Sequence, residues 1–320
     1  MVAGDCSVAA QKLRHRSAYP QRELAAFFSR AEAKMIAIID PMENSQNLKY
    51  ALITGGASGL GRSFCCHLAQ QGWHVAIADI DLAGAEETLT LIVKQGGRGQ
   101  VEPLNVADFP AWETLITTLR GTWPRMDLLV NNAGICGAGL VGEYALDDLR
   151  KILDVNLFGA IYGCQACVPW LRETTPGGAI VNIASLAAWL SAPAMAAYNI
   201  SKSGLVSLSE TLYGELLDAG IHVAVVMPGF FASNLVERGR FKDKAFKQIA
   251  EAYTLNAEFT TDDVVVQTMR AIKRKKLYVI IGFRSLIAAR LKRLTPTRFL
   301  RVVARTFEKD RQKVLRDACS

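Results

Sequence analysis

Thr54-Gly55-Gly56-Ala57-Ser58-Gly59-Leu60-Gly61 joins the apolar run Tyr50–Thr54 to the amphipathic run Gly61–Gln71, and this strand–turn–helix decides the fold. Glycines let a chain leave a strand sharply, bring its backbone close to a dinucleotide pyrophosphate and pack the following helix against the sheet. The helix N-terminus adds unpaired N–H groups and positive potential. Glycine-rich turns are common, and the position of this one after the first strand is what gives it weight. Outward from it lie further strand candidates at His74–Asp79, Gln100–Asn105, Leu128–Asn131, Ala179–Ala184, His222–Met227 and Tyr278–Ile281. Between them run helical patterns such as Ala83–Gln95, Phe109–Trp123, Leu146–Leu171 and Ala196–Ala219. Strands separated by helices imply right-handed crossovers. The fold expected is therefore α/β, a single doubly wound domain over 48–282 with a seven-stranded parallel sheet and helices on both faces. Residues 1–47 read as a poorly ordered leader, with a helical tendency over Glu23–Ile39, and 283–320 as a basic C-terminal helical extension.

The net charge of +7 is unevenly placed. Residues 1–41 carry 6 Lys+Arg against 4 Asp+Glu, residues 42–269 carry 15 against 23, and residues 270–320 carry 16 against 3. An acidic body with a basic tail argues against nucleic acid running over the main domain. Seven cysteines without a regular framework do not make a secreted disulfide scaffold, and they imply a reducing, cytoplasmic setting. Cys164 and Cys167 form a CxxC, but on a helix they read as small apolar residues. With the four histidines scattered at 15, 67, 74 and 222, no metal site is expected. The longest charge-free run, Thr174–Ser201, contains Pro and Gly and does not read as a membrane span.

The second strand ends at Asp79, where a carboxylate can accept both hydroxyls of an adenosine ribose and repel a 2′-phosphate. That favours NAD over NADP, with Arg62 the nearby cation that could offset the preference. Tyr198 and Lys202 lie four apart on one helical face, so an ammonium beside a phenol should lower the phenol's pKa and suit it to proton transfer.

These residues resemble the short-chain dehydrogenase/reductase family, whose Rossmann domain carries TGxxxGxG, NNAG and YxxxK motifs. The resemblance rests on the Thr54–Gly61 run, on Asn131-Asn132-Ala133-Gly134, on Tyr198-Asn199-Ile200-Ser201-Lys202 with Ser185 thirteen residues upstream, on Asn156 and on Pro228-Gly229. It implies an NAD-preferring oxidoreductase interconverting an alcohol and a ketone. Tyr198 would be general acid/base, Ser185 would polarise the substrate oxygen, Lys202 would bind the nicotinamide ribose, and Asn156 would support a relay water. The cofactor would be held by Gly55, Ser58, Gly59, Leu60, Gly61, Asp79, Asn105, Val106, Asn132, Ala133, Gly134, Tyr198, Lys202, Pro228, Gly229, Phe231 and Ser233. Asn105 stands where the family usually has Asp, and Ser233 where it usually has Thr. The alternatives are an NADP-dependent carbonyl reductase and a nucleotide-binding redox sensor or membrane-docking protein without turnover.

The uncharged stretches Ile135–Val141 and Leu186–Met195, with a mobile lid over Phe230–Phe259, suggest a lipophilic secondary alcohol or ketone. Helices around Leu146–Leu171 and Ala196–Ala219 resemble those that pair in the family's oligomers, implying a homodimer or homotetramer. In the tail, Ile287, Leu291 and Leu294 share one stripe and Leu300, Val303 and Phe307 another, separated by Pro296. Such a basic amphipathic segment over 284–316 fits either peripheral contact with an anionic membrane surface or packing on an acidic protein body.

Overall fold

The computed structural model describes residues 48–317, apart from 175, 176, 232–234, 238, 243 and 256. The leader therefore lies outside the described residues. The chain runs β1 (Tyr50–Thr54), α1 (Gly59–Gln70), β2 (His74–Asp79), α2 (Leu82–Lys94), β3 (Arg98–Pro103), α3 (Phe109–Thr122) and β4 (Leu128–Asn131). Then follow β5 (Gly137–Ala138), α4 (Leu146–Leu153), a π-helical turn (Asp154–Phe158), α5 (Gly159–Glu173), β6 (Ala179–Ile183), α6 (Ala187–Leu190) and α7 (Ala196–Glu215). The remainder is β7 (His222–Met227), β8 (Arg240–Phe241), α8 (Lys244–Leu255), α9 (Thr261–Lys273), β9 (Tyr278–Ile280), α10 (Phe283–Leu294) and α11 (Pro296–Asp317).

Seven strands form one sheet in the order β3-β2-β1-β4-β6-β7-β9, with every pairing parallel. Side chains alternate across a strand, so each strand feeds two cores. Ala51, Ile53, Val75 and Ile77 point to one layer, where Phe64 and Leu68 of α1 meet Val264 and Val265 of α9. Leu52, Ala76, Ala78 and Leu129 point to the other, against Trp112, Leu119 and Trp170 from α3 and α5. Burial on both faces explains why the strands read as continuous apolar runs rather than alternating ones.

The sheet order reverses between β1 and β4, where the connections leave in opposite directions and open a crevice beyond the strands' carboxyl ends. The third strand begins two residues earlier than its β-branched pattern suggests. Gly96, with φ +76°, turns the chain, and Gly97 packs so tightly on Ile92 and Ala69 that Arg98 already pairs with His74. Asn105 is therefore in the loop after β3. The expected helix Leu146–Leu171 is also interrupted: its middle is the π-turn that carries Asn156. Leu146–Glu173 is long and apolar enough to cross a bilayer, but its α5 half buries Cys164, Cys167 and Trp170 within the domain. Those cysteines are the buried, apolar residues their spacing suggested, and burial raises the Cys164 thiol to about 12.

Candidate active site

The turn after β1 is held from below. Gly55 donates to Ala78 O at 2.8 Å, and Asn132 Nδ2 donates to Thr54 O at 2.9 Å and Gly55 O at 3.2 Å. Thr54 Oγ1 accepts from the N–H groups of Asn132 and Ala133, both at 3.0 Å, tying the NNAG segment to the glycine turn. The Asn132 side chain is thus a brace for the turn, and sequence reasoning missed Thr54 as its other half. Gly61 is packed so closely that a Cβ there would fall 2.6 Å from Asn132 Nδ2 and 2.7 Å from the Gly55 carbonyl carbon. At Gly59, with φ +52°, a Cβ would meet nothing within 4 Å. Ser58 precedes α1 with no capping bond from its side chain. Open space over an uncapped helix N-terminus, with Leu60 buried beneath, is a cradle that fits a pyrophosphate.

Asp79 is 8% exposed at the end of β2. Its Oδ2 accepts from Ala57 N at 2.9 Å and its Oδ1 from Asp81 N at 3.0 Å, so the carboxylate is fixed beside the glycine turn. Next to it Ile80 is 75% exposed, an apolar neighbour that sequence analysis passed over. Arg62 is held elsewhere: Nε donates to Thr88 at 2.9 Å, and Nη2 donates to Gly84 O at 3.1 Å and pairs with Glu87 at 3.0 Å. It is not the free counter-cation the sequence allowed. Asn105 is exposed, and its Oδ1 accepts from Ala107 N at 3.2 Å, closing its own turn. Val106 is buried against Gly159.

The catalytic set gathers past the carboxyl ends of β4 and β6. Ser185 follows β6, and its Oγ accepts from Ala187 N at 3.1 Å. Tyr198 and Lys202 project from α7 and are 7% and 4% exposed. Lys202 Nζ donates to Ile183 O at 2.8 Å and lies 5.7 Å from the Tyr198 ring centroid. Burial pushes the Tyr198 phenol up, with Cys136 adding to the rise and a hydrogen bond with Ser185 pulling the other way. The expected depression of the phenol pKa is therefore not present in the protein by itself: desolvation raises it, and the one opposing influence is the hydrogen bond with Ser185. Burial also lowers Lys202 to about 8.

Asn156 Oδ1 accepts from Ile135 N at 2.8 Å, and its Nδ2 donates to Ile135 O at 2.9 Å and Ser201 Oγ at 3.2 Å. Its side chain clamps the loop after β4 to α7. A Cβ on Gly134 would come 3.3 Å from Asn156 Oδ1 and 3.5 Å from Lys202 Nζ, so these three residues are brought together. Deeper still, Asn131 Nδ2 donates to Asn182 Oδ1 and Asn182 Nδ2 to Ser209 Oγ, both at 2.9 Å. No local sequence signal marks Asn182 or Ser209 as members of this buried chain.

Pro228 O accepts from Leu186 N at 2.8 Å, joining the segment after β7 to the serine loop. Phe231 bridges Phe259, while Ser233 lies outside the described residues. Phe230 stacks on Tyr253 of α8 with centroids 4.8 Å apart. A second, two-stranded parallel sheet of β5 and β8 closes the outer wall, where Tyr144 Oη donates to Arg240 O at 2.6 Å. These two-residue strands are too short to read from pattern.

The C-terminal helices join this wall rather than hang free. A Cβ on Gly229 would lie 3.0 Å from Ser285 Oγ of α10, and Lys292 Nζ donates to Ser191 Oγ at 3.2 Å. On α11, Phe307 stacks on Phe246 of α8 at 6.2 Å, Arg311 caps the same ring, and Asp310 accepts from Tyr253 Oη.

A family model described as short chain dehydrogenase matches residues 49–244, the span from β1 to the start of α8. The chain belongs to the short-chain dehydrogenase family. Cyclohexanol dehydrogenase of an Acinetobacter species is 34% identical to this chain over 196 residues, covering 61% of the chain and 78% of the relative. A probable oxidoreductase, EphD of Mycobacterium tuberculosis, is 32% identical over 233 residues, covering 70% of the chain but only 39% of that relative's length. A Burkholderia phymatum short-chain dehydrogenase/reductase solved with NAD superposes with a TM-score of 0.73 at 27% identity, covering 77% of this chain and 92% of that one.

Proposed function

We propose that this short-chain dehydrogenase is an NAD-preferring enzyme that interconverts a lipophilic secondary alcohol and its ketone, with Tyr198 as general acid/base. The observation that carries the reading is the meeting of the half-buried Ser185 with the buried Tyr198 and Lys202 beyond β6, with Ser185 hydrogen-bonded to Tyr198 and Lys202 fixed on Ile183 O. The glycine turn, the open N-terminus of α1 and Asp79 are the residues that would hold a nicotinamide dinucleotide. That cofactor, when bound, supplies the hydride acceptor or donor. The protein handles the proton. The raised pKa of Tyr198 keeps its phenol protonated, ready to deliver a proton to a carbonyl oxygen that becomes an alkoxide during reduction. Ser185 Oγ orients and polarises that oxygen. Lys202 places positive charge near the phenol ring, stabilising the phenolate left behind and the one required for alcohol oxidation.

Preference for NAD is supported by the fixed Asp79 carboxylate, the apolar Ile80 beside it and the engagement of Arg62 with Thr88, Gly84 and Glu87. A 2′-phosphate there would face an anion with no free cation from these residues. A lipophilic substrate is supported by the aromatic wall of Phe230 and Tyr253 and the charge-free loops after β4 and β6. Outward-facing Phe158, Ile200 and Leu217, on or beside the paired helices α4–α5 and α7, support a homo-oligomer.

Tyr198→Phe tests the core assignment. Turnover should fall by about a hundredfold or more while cofactor affinity changes little; a variant that turns over normally overturns the role of the tyrosine. A panel of alcohols and ketones graded by chain length, run with both cofactors, tests the rest. Equal turnover of short polar and long apolar substrates removes the lipophilic reading. Higher kcat/KM with NADP establishes the competing carbonyl-reductase reading.

A further inference from the structure

The tail helices use one face against the enzyme and leave the other uncovered. On α10, Ser285, Ala288, Ala289 and Lys292 form the inward side, with Ala289 buried and Lys292 bonded to Ser191. The residues expected from periodicity to make an apolar seam point the opposite way. Phe283, Ile287, Leu291 and Leu294 are 73%, 40%, 48% and 77% exposed. At about 100° per residue these four fall within one quadrant of the helix. Arg284 and Arg290 flank that quadrant on either side, both exposed. From Phe283 to Phe307 the chain holds no Asp or Glu.

The next helix continues the charge. Its inward positions are Val303, Phe307 and Arg311, the last two against Phe246. Opposite them stand Arg298, Arg301, Arg305 and Arg316, all exposed and in no ion pair among the described residues. Large exposed apolar side chains in a row mark a contact surface. Here the row lies between arginines, so that when the apolar residues sink below a headgroup layer the guanidinium groups reach its phosphates. A protein interface would have to bury several of these cations against acidic partners. A bilayer receives both kinds of side chain without that requirement.

We infer that α10, with the basic outer face of α11, docks on an anionic lipid bilayer. The anchor is continuous with the substrate cleft, because the inner face of α10 contacts Ser191 and the Pro228–Gly229 segment. Docking therefore sets the cleft wall against the lipid surface, a position from which a membrane-dissolved alcohol or ketone can enter. The docking surface stands on exposure and charge alone and does not depend on the substrate assignment.

The test is flotation of the full chain with phosphatidylcholine vesicles, with and without phosphatidylserine, for wild type and two paired variants. Leu291→Gln with Leu294→Gln removes apolar contact, and Arg284→Gln with Arg290→Gln removes charge; all four positions face solvent, so folding is preserved. Wild type should float only with the phosphatidylserine vesicles. Each arginine near such a surface contributes about 1 kcal/mol, so the charge pair should lower partitioning about thirtyfold. The leucine pair should lower it about tenfold or more. Turnover of cyclohexanol in solution should match wild type in both. Absence of wild-type flotation, or flotation untouched by the leucine pair, overturns the inference. So does a leucine pair that lowers the oligomeric mass in the absence of lipid, which assigns the stripe to a second copy of the chain.

Discussion

Gly61→Ala is the substitution whose outcome the structure specifies most closely. The added methyl would lie 2.7 Å from the Gly55 carbonyl carbon and 2.6 Å from Asn132 Nδ2, closer still to the Gly55 oxygen. Ordinary carbon contacts are about 3.5–4.0 Å, so the turn must open by about 1 Å. It has little freedom to do so. Gly55 donates to Ala78 O at 2.8 Å, and its own oxygen accepts from Asn132 at 3.2 Å. Loss of two such bonds at about 1 kcal/mol each, added to about 1–3 kcal/mol of overpacking, gives about 3–5 kcal/mol. With a urea slope of about 3 kcal/mol/M, the unfolding midpoint should drop by about 1–1.7 M. Gly59→Ala is the matched control. Its methyl meets no atom within 4 Å, so its stability cost is the about 1–2 kcal/mol of a left-handed alanine. The methyl would nevertheless stand in the open cradle, so cofactor affinity should fall in both variants. Urea melts and cofactor fluorescence titration read the two effects separately. A Gly61→Ala protein with unchanged midpoint and cofactor affinity, or a Gly59→Ala protein equally destabilised, would refute the packing argument.

Three further outcomes follow from the same geometry. Burial holds the Lys202 pKa at about 8, below the 10.5 of an exposed lysine. Between those values the unfolded chain binds more proton than the folded one, so this group makes stability rise with pH across that window and contributes no slope below it. Urea midpoints of wild type minus Lys202→Met should therefore climb from pH 8 toward 10; a flat difference would remove the buried ammonium from the account. Ile80→Arg should raise the NADP:NAD ratio of kcat/KM by about ten- to a hundredfold, because a phosphate–guanidinium bond contributes about 1.5–3 kcal/mol. An unchanged ratio would place the ribose elsewhere. Phe307→Ala removes the ring stacked on Phe246 of α8. KM for long-chain alcohols should rise several-fold while kcat for a small alcohol holds, and equal effects on both would separate α11 from the cleft.

Much of the site was legible because its chemistry is local. The turn Thr54–Gly61 and the Tyr198–Lys202 pair are each carried by one element, where spacing alone fixes which side chains share a face. Asp79 could be placed because it ends a strand. Asn105 and Arg62 show where such reading stops. Asn105 closes a local turn onto Ala107 N once β3 ends at Pro103, and Arg62 is engaged by Thr88, Gly84 and Glu87, which only the packing of α1 against α2 brings to it. The phenol of Tyr198 is a subtler case. The sequence puts an ammonium near it, but the direction of its pKa is set by how completely the fold excludes water, and burial raises it despite the hydrogen bond with Ser185.

The tail divides the two kinds of information most clearly. Composition alone placed the cations of residues 270–320 on a separate segment, and periodicity alone found the Ile287, Leu291 and Leu294 stripe. Neither could say which face of α10 would meet the protein. Ser285 and Ala289 are small enough for the helix to approach the cleft wall, whereas the leucine side of the same helix would hold it away. Periodicity records that a helix has two faces. The shape of the surface it meets decides which of them is left for something else.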